Sequence, residues 1–211
     1  MPNLHKEIPT LIVSVLPTII AIIMSLQKIT NIAEELFQKN KNHITKEDIT
    51  SLENKCKKYL TETNKKMTLC VKTFNGLAIE IGILLKKEFP KETDIKTYNN
   101  IVPELVKINP VEPISLFIDK VYVIDKYRHS IKDGNDDFFI GDDHEEITKG
   151  DKDNIRRMFQ FKSCWKNLKP DTQQTIKDIM AVLVDLTAKY IEEKDNGNQI
   201  ADIMKKINFN Y

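Results

Sequence analysis

Apolar residues recur at steps of three and four along most of this chain, the spacing of one face of an α-helix. An uncharged run, Ile8 to Leu26, comes first and ends at Gln27-Lys28; Ile29, Ile32, Ala33, Leu36 and Phe37 then mark an amphipathic face. Pro9 suits a helix start, and Pro17 predicts a kink or restart. After the polar connection Lys39 to His43, the segment Ile44-Thr45-Lys46-Glu47-Asp48-Ile49 carries the clearest helix-start signal. Thr45 is placed to cap, Glu47 and Asp48 stand in the first turn, and Ile44 and Ile49 occupy the two positions of a hydrophobic staple.

From there Ile49, Leu52, Cys56, Tyr59, Thr63, Met67, Cys70, Phe74, Leu77, Ile81 and Leu84 form one stripe, predicting a helix over 45–88. Consecutive four-residue steps around Thr63 and Met67 argue against a regular coiled coil, and Asn75-Gly76 is a candidate break. Pro90, Pro103 and Pro110 interrupt the next stretch, leaving room for one short helix around Glu104 to Ile108. Glu112-Pro113 opens a helix over 113–131, with the stripe Ile114, Phe117, Ile118, Val121, Ile124 and Ile131. Val121-Tyr122-Val123-Ile124 also reads as a strand, but the continuous stripe favours helix.

Residues 133–154 form an acidic, Gly-punctuated loop, in which Phe138-Phe139-Ile140 is an apolar plug suited to anchoring it on the core. A helix over 155–168 (Ile155, Met158, Phe159, Trp165, Leu168) is followed by the stop-and-start signal Lys169-Pro170-Asp171 and a helix over 172–193. Asp195-Asn196-Gly197 predicts its end, with a short final helix from Ile200 to Ile207. Trp165, Phe159 and Phe161 read as core.

The expected fold is therefore all-α: an irregular helical bundle with a long N-terminal antiparallel hairpin, residues 11–39 against 45–88, at its centre. One helical domain, 1–211, is expected, divided into the hairpin (1–89), the Pro-broken segment and helix (90–132), the acidic loop (133–154) and the C-terminal helices (155–211). Ile8 to Leu26 is long enough to be read as a membrane span. Leu69 to Leu85 is also apolar on most sides, with Glu80 its main charge, and two such helices suit a bundle centre.

Composition narrows the function classes. The chain has 32 basic and 31 acidic residues, a net charge of +1, so no global field points to nucleic acid or an anionic surface. Only Arg128, Arg156 and Arg157 are arginines, which disfavours dedicated phosphate recognition. Cys56, Cys70 and Cys164 are odd in number and lack metal-ligand spacing, so they read as reduced thiols. Six glycines, with no GxGxxG and no P-loop, make a poor phosphate cradle.

Candidate chemistry is sparse. Asp133, Asn135 and Asp137 match the first oxygen-ligand positions of a calcium loop, with Asp142, Asp143 or Glu145 as further donors. Phe138 stands where that loop needs glycine and His144 where it needs a bidentate Glu, so a solvated acidic loop is the expectation. His5, His43, His129 and His144 are scattered, without the spacing of a helical zinc site. Lys55, Lys58, Lys65, Lys66 and Lys72 give the 45–88 helix a basic edge for an anionic partner, read foremost as a solvated face. No catalytic residue and no cofactor is implied.

Phe159-Gln-Phe161-Lys162-Ser-Cys-Trp165-Lys-Asn-Leu168-Lys-Pro170-Asp-Thr, running into Ile176 to Tyr190, resembles a pattern in uncharacterised helical proteins of mimivirus-like giant DNA viruses. Asn109-Pro110-Val-Glu-Pro113-Ile114 and Asp136-Asp137-Phe138-Phe139 fit the same likeness, over roughly residues 109–191. The resemblance implies a viral origin and carries no functional residue. The leading expectation is a non-enzymatic protein working through contacts with a protein partner, as a virion component or intracellular adaptor. A membrane-anchored protein with residues 8–26 spanning the bilayer and a cytoplasmic helical domain is the alternative. Nucleic-acid association through the lysine edge is weaker, and an enzyme comes last.

Overall fold

The computed structural model describes residues 45–141, 144 and 148–209, and every described element is helical. In chain order these are α1 (Lys46–Glu88), α2 (Thr93–Ile108), α3 (Glu112–Phe117), a π-turn (Ile118–Tyr122), α4 (Asp125–Lys132), a second π-turn (Asp137–Gly141), α5 (Lys152–Asn167) and α6 (Pro170–Phe209). The helical bundle expected from the periodicity is present, with α1 packing against α6 and α2. The run Ile8 to Leu26 and the first arm of the expected hairpin lie outside the described residues.

The chain divides into two compact units, one of residues 1–64 with 194–211 and the other of residues 65–193. In the first, Leu52 and Cys56 of α1 are buried with Ile200 of α6, flanked by Ile49, Leu60 and Met204. The cap of α1 forms as the sequence predicts. Thr45 Oγ1 accepts from the Asp48 N–H at 3.2 Å, and the Asp48 carboxylate accepts from the Thr45 N–H at 3.1 Å. That reciprocal pair is a capping box, worth about 1 kcal/mol to an exposed helix start.

The second unit is built on α1 and α6. Cys70, Phe74 and Ala78 pack against Ile179, Leu183 and Tyr190, with Ile114 of α3 wholly buried among them. A neighbouring cluster joins Leu85, Ile95, Leu168 and Ile176 to Phe139 and Trp165. Phe139 stacks on Trp165 with ring centroids 3.7 Å apart and planes 2° from parallel, so the apolar plug anchors the acidic loop as expected. Glu88, at the end of α1, binds the α5–α6 turn through Lys169 at 3.1 Å and the Thr172 hydroxyl at 3.3 Å.

Several element boundaries differ from the sequence expectation. Asn75-Gly76 does not break α1: Asn75 is buried and its side-chain N–H donates to the Pro110 carbonyl at 2.8 Å. The short helix expected at 104–108 begins at Thr93 and contains Pro103, which costs one backbone hydrogen bond yet leaves the helix whole. The helix expected over 113–131 is split. Its first turn runs into the π-turn, where Val123 N–H reaches back to Ile118, and Ile124 is extended (φ −93°, ψ 104°) before α4 begins. A π-turn widens the helix and shifts its phase, so the stripe from Ile114 to Ile131 does not lie on one continuous helix.

Gly197 likewise does not end α6, which continues to Phe209. An interior glycine costs about 1 kcal/mol, and burial of Ile200 against Leu52 and Cys56 in the same unit offsets it. Leu69 and Ile83 are 63% and 58% exposed, so α1 buries one face and not its whole circumference. Phe159, expected in the core, is 62% exposed.

Candidate apolar binding site

The unit of residues 65–193 contains a cavity of about 510 Å³. Its walls come from successive turns of α1 (Phe74, Ala78, Ile81, Leu85) and from Leu183, Met180 and Ile176 of α6. Further lining comes from α2, from α3 with its π-turn, from the Phe138-Phe139 plug and from α5. The volume falls within the ~300–1,000 Å³ of typical small-molecule sites, which are mostly apolar with a few placed polar groups.

The polar groups are concentrated where α2 starts beside α5. Along α2 the lining runs from Glu92 and Asp94 through Ile95 and Tyr98 to Val102 and Leu105. Along α5 it runs Arg157, Gln160, Phe161, Cys164, at i, i+3, i+4 and i+7 on one helical face. Both helices therefore pass from charged or amide side chains to apolar ones along the cavity. Gln160 Nε2 donates to Glu92 Oε2 at 2.6 Å, and Arg156 Nη1 donates to Gln160 Oε1 at 3.2 Å. The same Arg156 nitrogen stands 3.8 Å from Asp94 Oδ2.

Two nucleophilic side chains face the cavity, and both hold their protons. The Tyr98 hydroxyl donates to the Ala78 carbonyl at 2.9 Å, and burial pushes its pKa up to about 12. Burial also pushes the Cys164 thiol above its ordinary range, and the carboxylates of Glu92 and Asp94 push it the same way. A protonated, desolvated thiol is a poor nucleophile. What the arrangement can do is enclose apolar surface and hold a polar head at one end.

The residues singled out in the sequence lie elsewhere. Asp133 closes α4, its N–H donating to His129 at 2.8 Å, and Gly134 follows with φ +64°. Asn135 is exposed, and Asp137 begins the second π-turn, with Phe139 and Ile140 N–H groups bonded back to Asp136. The chain thus winds into a helical turn where a calcium loop would wrap its ion, and Asp136 pairs with Lys177 at 2.8 Å. Among the described residues no group of three or more His, Cys, Asp or Glu could hold a metal; Asp142, Asp143 and Glu145 lie outside them.

Lys55 and Lys58 belong to the smaller unit and Lys65, Lys66 and Lys72 to the larger, and all five are exposed. Lys66 is engaged by the buried Glu193 at 2.9 Å. Among the described helices, α1 alone is long and apolar enough to cross a membrane by length and composition, with 39% of its most apolar window buried. The cavity escaped the sequence reading because its apolar walls are indistinguishable from core until five helices converge. The signal that could have found it is the Arg157-Gln160-Phe161-Cys164 face. No protein-family model matches this chain, and neither a curated protein nor a solved structure does.

Proposed function

We propose that this is a non-enzymatic helical protein that works by contact, and that residues 65–193 form a binding unit enclosing an apolar group. The observation that carries the reading is the cavity of about 510 Å³ between α1, α2, α5 and α6. The protonated states of Tyr98 and Cys164 support binding over covalent chemistry. A virion component or an adaptor in an infected cell is the setting that the resemblance to giant-virus proteins suggests.

Trp165, the only tryptophan, stacks on the cavity-lining Phe139 and is a built-in reporter. Titration of the full chain with dodecanol, a neutral aliphatic probe, is expected to change Trp165 emission saturably at one equivalent. Val102→Phe, which fills the cavity from α2, is expected to abolish the change without loss of helicity. An unsaturable response, or one that Val102→Phe leaves intact, contradicts the reading.

The membrane-anchored alternative draws on Ile8 to Leu26 and on the composition of α1. Carbonate extraction separates the two: a spanning form stays in the pellet and a soluble bundle is released.

A further inference from the structure

The four charged side chains on the cavity wall differ in how they meet water. Lys120 and Arg157 are exposed, so their charges lie in solvent. Glu92 and Asp94, where α2 begins, are half-buried. Glu92 accepts from Gln160 at 2.6 Å, a neutral amide that leaves its charge unbalanced. Asp94 is less well provided for. Its Oδ2 is sealed from water and accepts no hydrogen bond, and Arg156 Nη1 stands 3.8 Å away, beyond hydrogen-bonding reach. That arginine is 58% exposed and donates instead to Gln160 at 3.2 Å.

A carboxylate in the first turn of a helix is ordinary, because it meets the positive end of the helix dipole. The dipole does not supply a missing donor, and a buried acceptor left without one is costly. Glu92, at the cap position, makes no side-chain capping bond either. The two carboxylates also act on the cavity wall opposite. After burial itself, Glu92 and then Asp94 push the Cys164 thiol upwards, so their negative field reaches α5 where it turns apolar. The polar end of the cavity is therefore anionic and short of donors.

We infer that the ligand is a long-chain aliphatic amine, its ammonium held by Asp94 and Glu92 at the start of α2 and its tail lying along the apolar wall. The inference rests on the binding reading above and adds the chemical class of the ligand. An ammonium is a compact cation with three N–H donors and no acceptor, so one head group can serve both carboxylates. The Asp94 side chain is 32% exposed as a whole, which leaves Oδ1 as the oxygen that a ligand reaches. Charge is shared between the two oxygens, so a cation at Oδ1 also offsets the sealed Oδ2. A neutral alcohol brings one donor and no charge, and an acid brings a like charge. Beyond the head, the α2 wall from Ile95 to Leu105 rises about 15 Å beside Phe117, Met180 and Leu183.

The test uses the delipidated full chain and three probes of one tail length: dodecylamine, dodecanol and laurate, each below its micelle concentration. Binding is read from Trp165 emission, and stoichiometry from native mass spectrometry. Dodecylamine is expected to bind at one equivalent, roughly tenfold tighter than dodecanol, the worth of one charge-assisted pair at a half-open site. Laurate should be the weakest. Asp94→Asn should weaken dodecylamine roughly tenfold and leave dodecanol unchanged, and Glu92→Gln should act in the same direction. The two changes together should erase the preference for the amine. Arg157→Gln, which removes a hydrated charge, should alter dodecylamine affinity by less than about twofold.

Dodecylamine bound no more tightly than dodecanol overturns the inference and leaves the apolar site standing. An amine affinity indifferent to both carboxylate variants does the same, as does one that Arg157→Gln changes as much as Asp94→Asn. If none of the probes binds, the apolar site and the amine fail together. Circular dichroism of each variant separates lost binding from lost fold, and Glu92→Gln carries the test if Asp94→Asn does not fold.

Discussion

Tyr98 of α2 lies so close to Gly82 of α1 that a methyl group at position 82 would stand 2.8 Å from Tyr98 Cε1. The Asn99 amide reinforces this approach by donating to the Gly82 carbonyl at 2.8 Å. α1 and α2 meet at a glycine, and the cavity wall above it depends on that spacing. Gly82→Ala is therefore expected to destabilise the larger unit by about 1–3 kcal/mol, the cost of overpacking a tight contact. Gly76, six residues earlier, meets nothing within 4 Å. Gly76→Ala should instead stabilise by about 0.5–1 kcal/mol. Urea unfolding followed by Trp165 emission gives both values, and equal signs would refute the close-approach explanation.

The Tyr98 hydroxyl sets an alkaline limit. Its pKa is pushed up to about 12 by burial, against an ordinary value of 10. A raised pKa means that the unfolded chain loses this proton first as the pH climbs. The contribution is fully present below pH 10 and is lost as the pH rises towards 12. Two pKa units correspond to about 2–3 kcal/mol. Tyr98→Phe should cost about 1 kcal/mol near neutrality, through loss of the bond to the Ala78 carbonyl. It should also flatten the fall in stability between pH 10 and 12, which paired unfolding curves of the two proteins would show.

Phe139 and Trp165 hold the acidic loop to the core through their stacked rings. Phe139→Ala removes a side chain only 2% exposed, and truncations of buried phenylalanine cost about 3–5 kcal/mol. Thermal unfolding should report a drop in that range, with Trp165 emission moving to the red as water reaches the indole. Phe139→Leu should recover much of the loss. A red shift without destabilisation would mean that the plug is an accessory and not part of the core.

Lys66 differs from the other lysines of the basic edge because it neutralises Glu193, whose side chain is 2% exposed. Removing the partner leaves that carboxylate buried and unpaired. Lys66 itself is 45% exposed, so water moderates the effect. Lys66→Ala is expected to cost about 1–2 kcal/mol more than Lys72→Ala, and Glu193→Gln should remove most of the difference. A double-mutant cycle measures this directly, and a coupling near zero would return Lys66 to the solvated edge.

Local signals were legible wherever one helix decided the outcome. The Thr45–Asp48 cap, the buried stripe through Leu52, Cys56, Cys70 and Phe74, and the Phe138-Phe139-Ile140 plug could all be read from spacing and residue type. Punctuation misled wherever packing overruled it. Asn75-Gly76, Pro103 and Gly197 each carry a local penalty of the order of 1–3 kcal/mol, and neighbouring burial exceeds it. The π-turn at 118–122 was invisible because a bulge alters phase without changing composition. The cavity was hidden for a different reason: an apolar residue facing a void and one facing a neighbour are the same letter.

The central claim is that an apolar ligand lies inside the larger unit. A crystal of the full chain soaked with a terminally brominated dodecanol tests it most directly, because bromine is located by its anomalous scattering. The account predicts one ordered bromine peak per chain within contact distance of Ile81, Leu105 and Phe117, absent from Val102→Phe crystals. Bromine found only on the exposed face of α1 around Leu69 and Ile83, or none in the cavity at saturating probe, would contradict it.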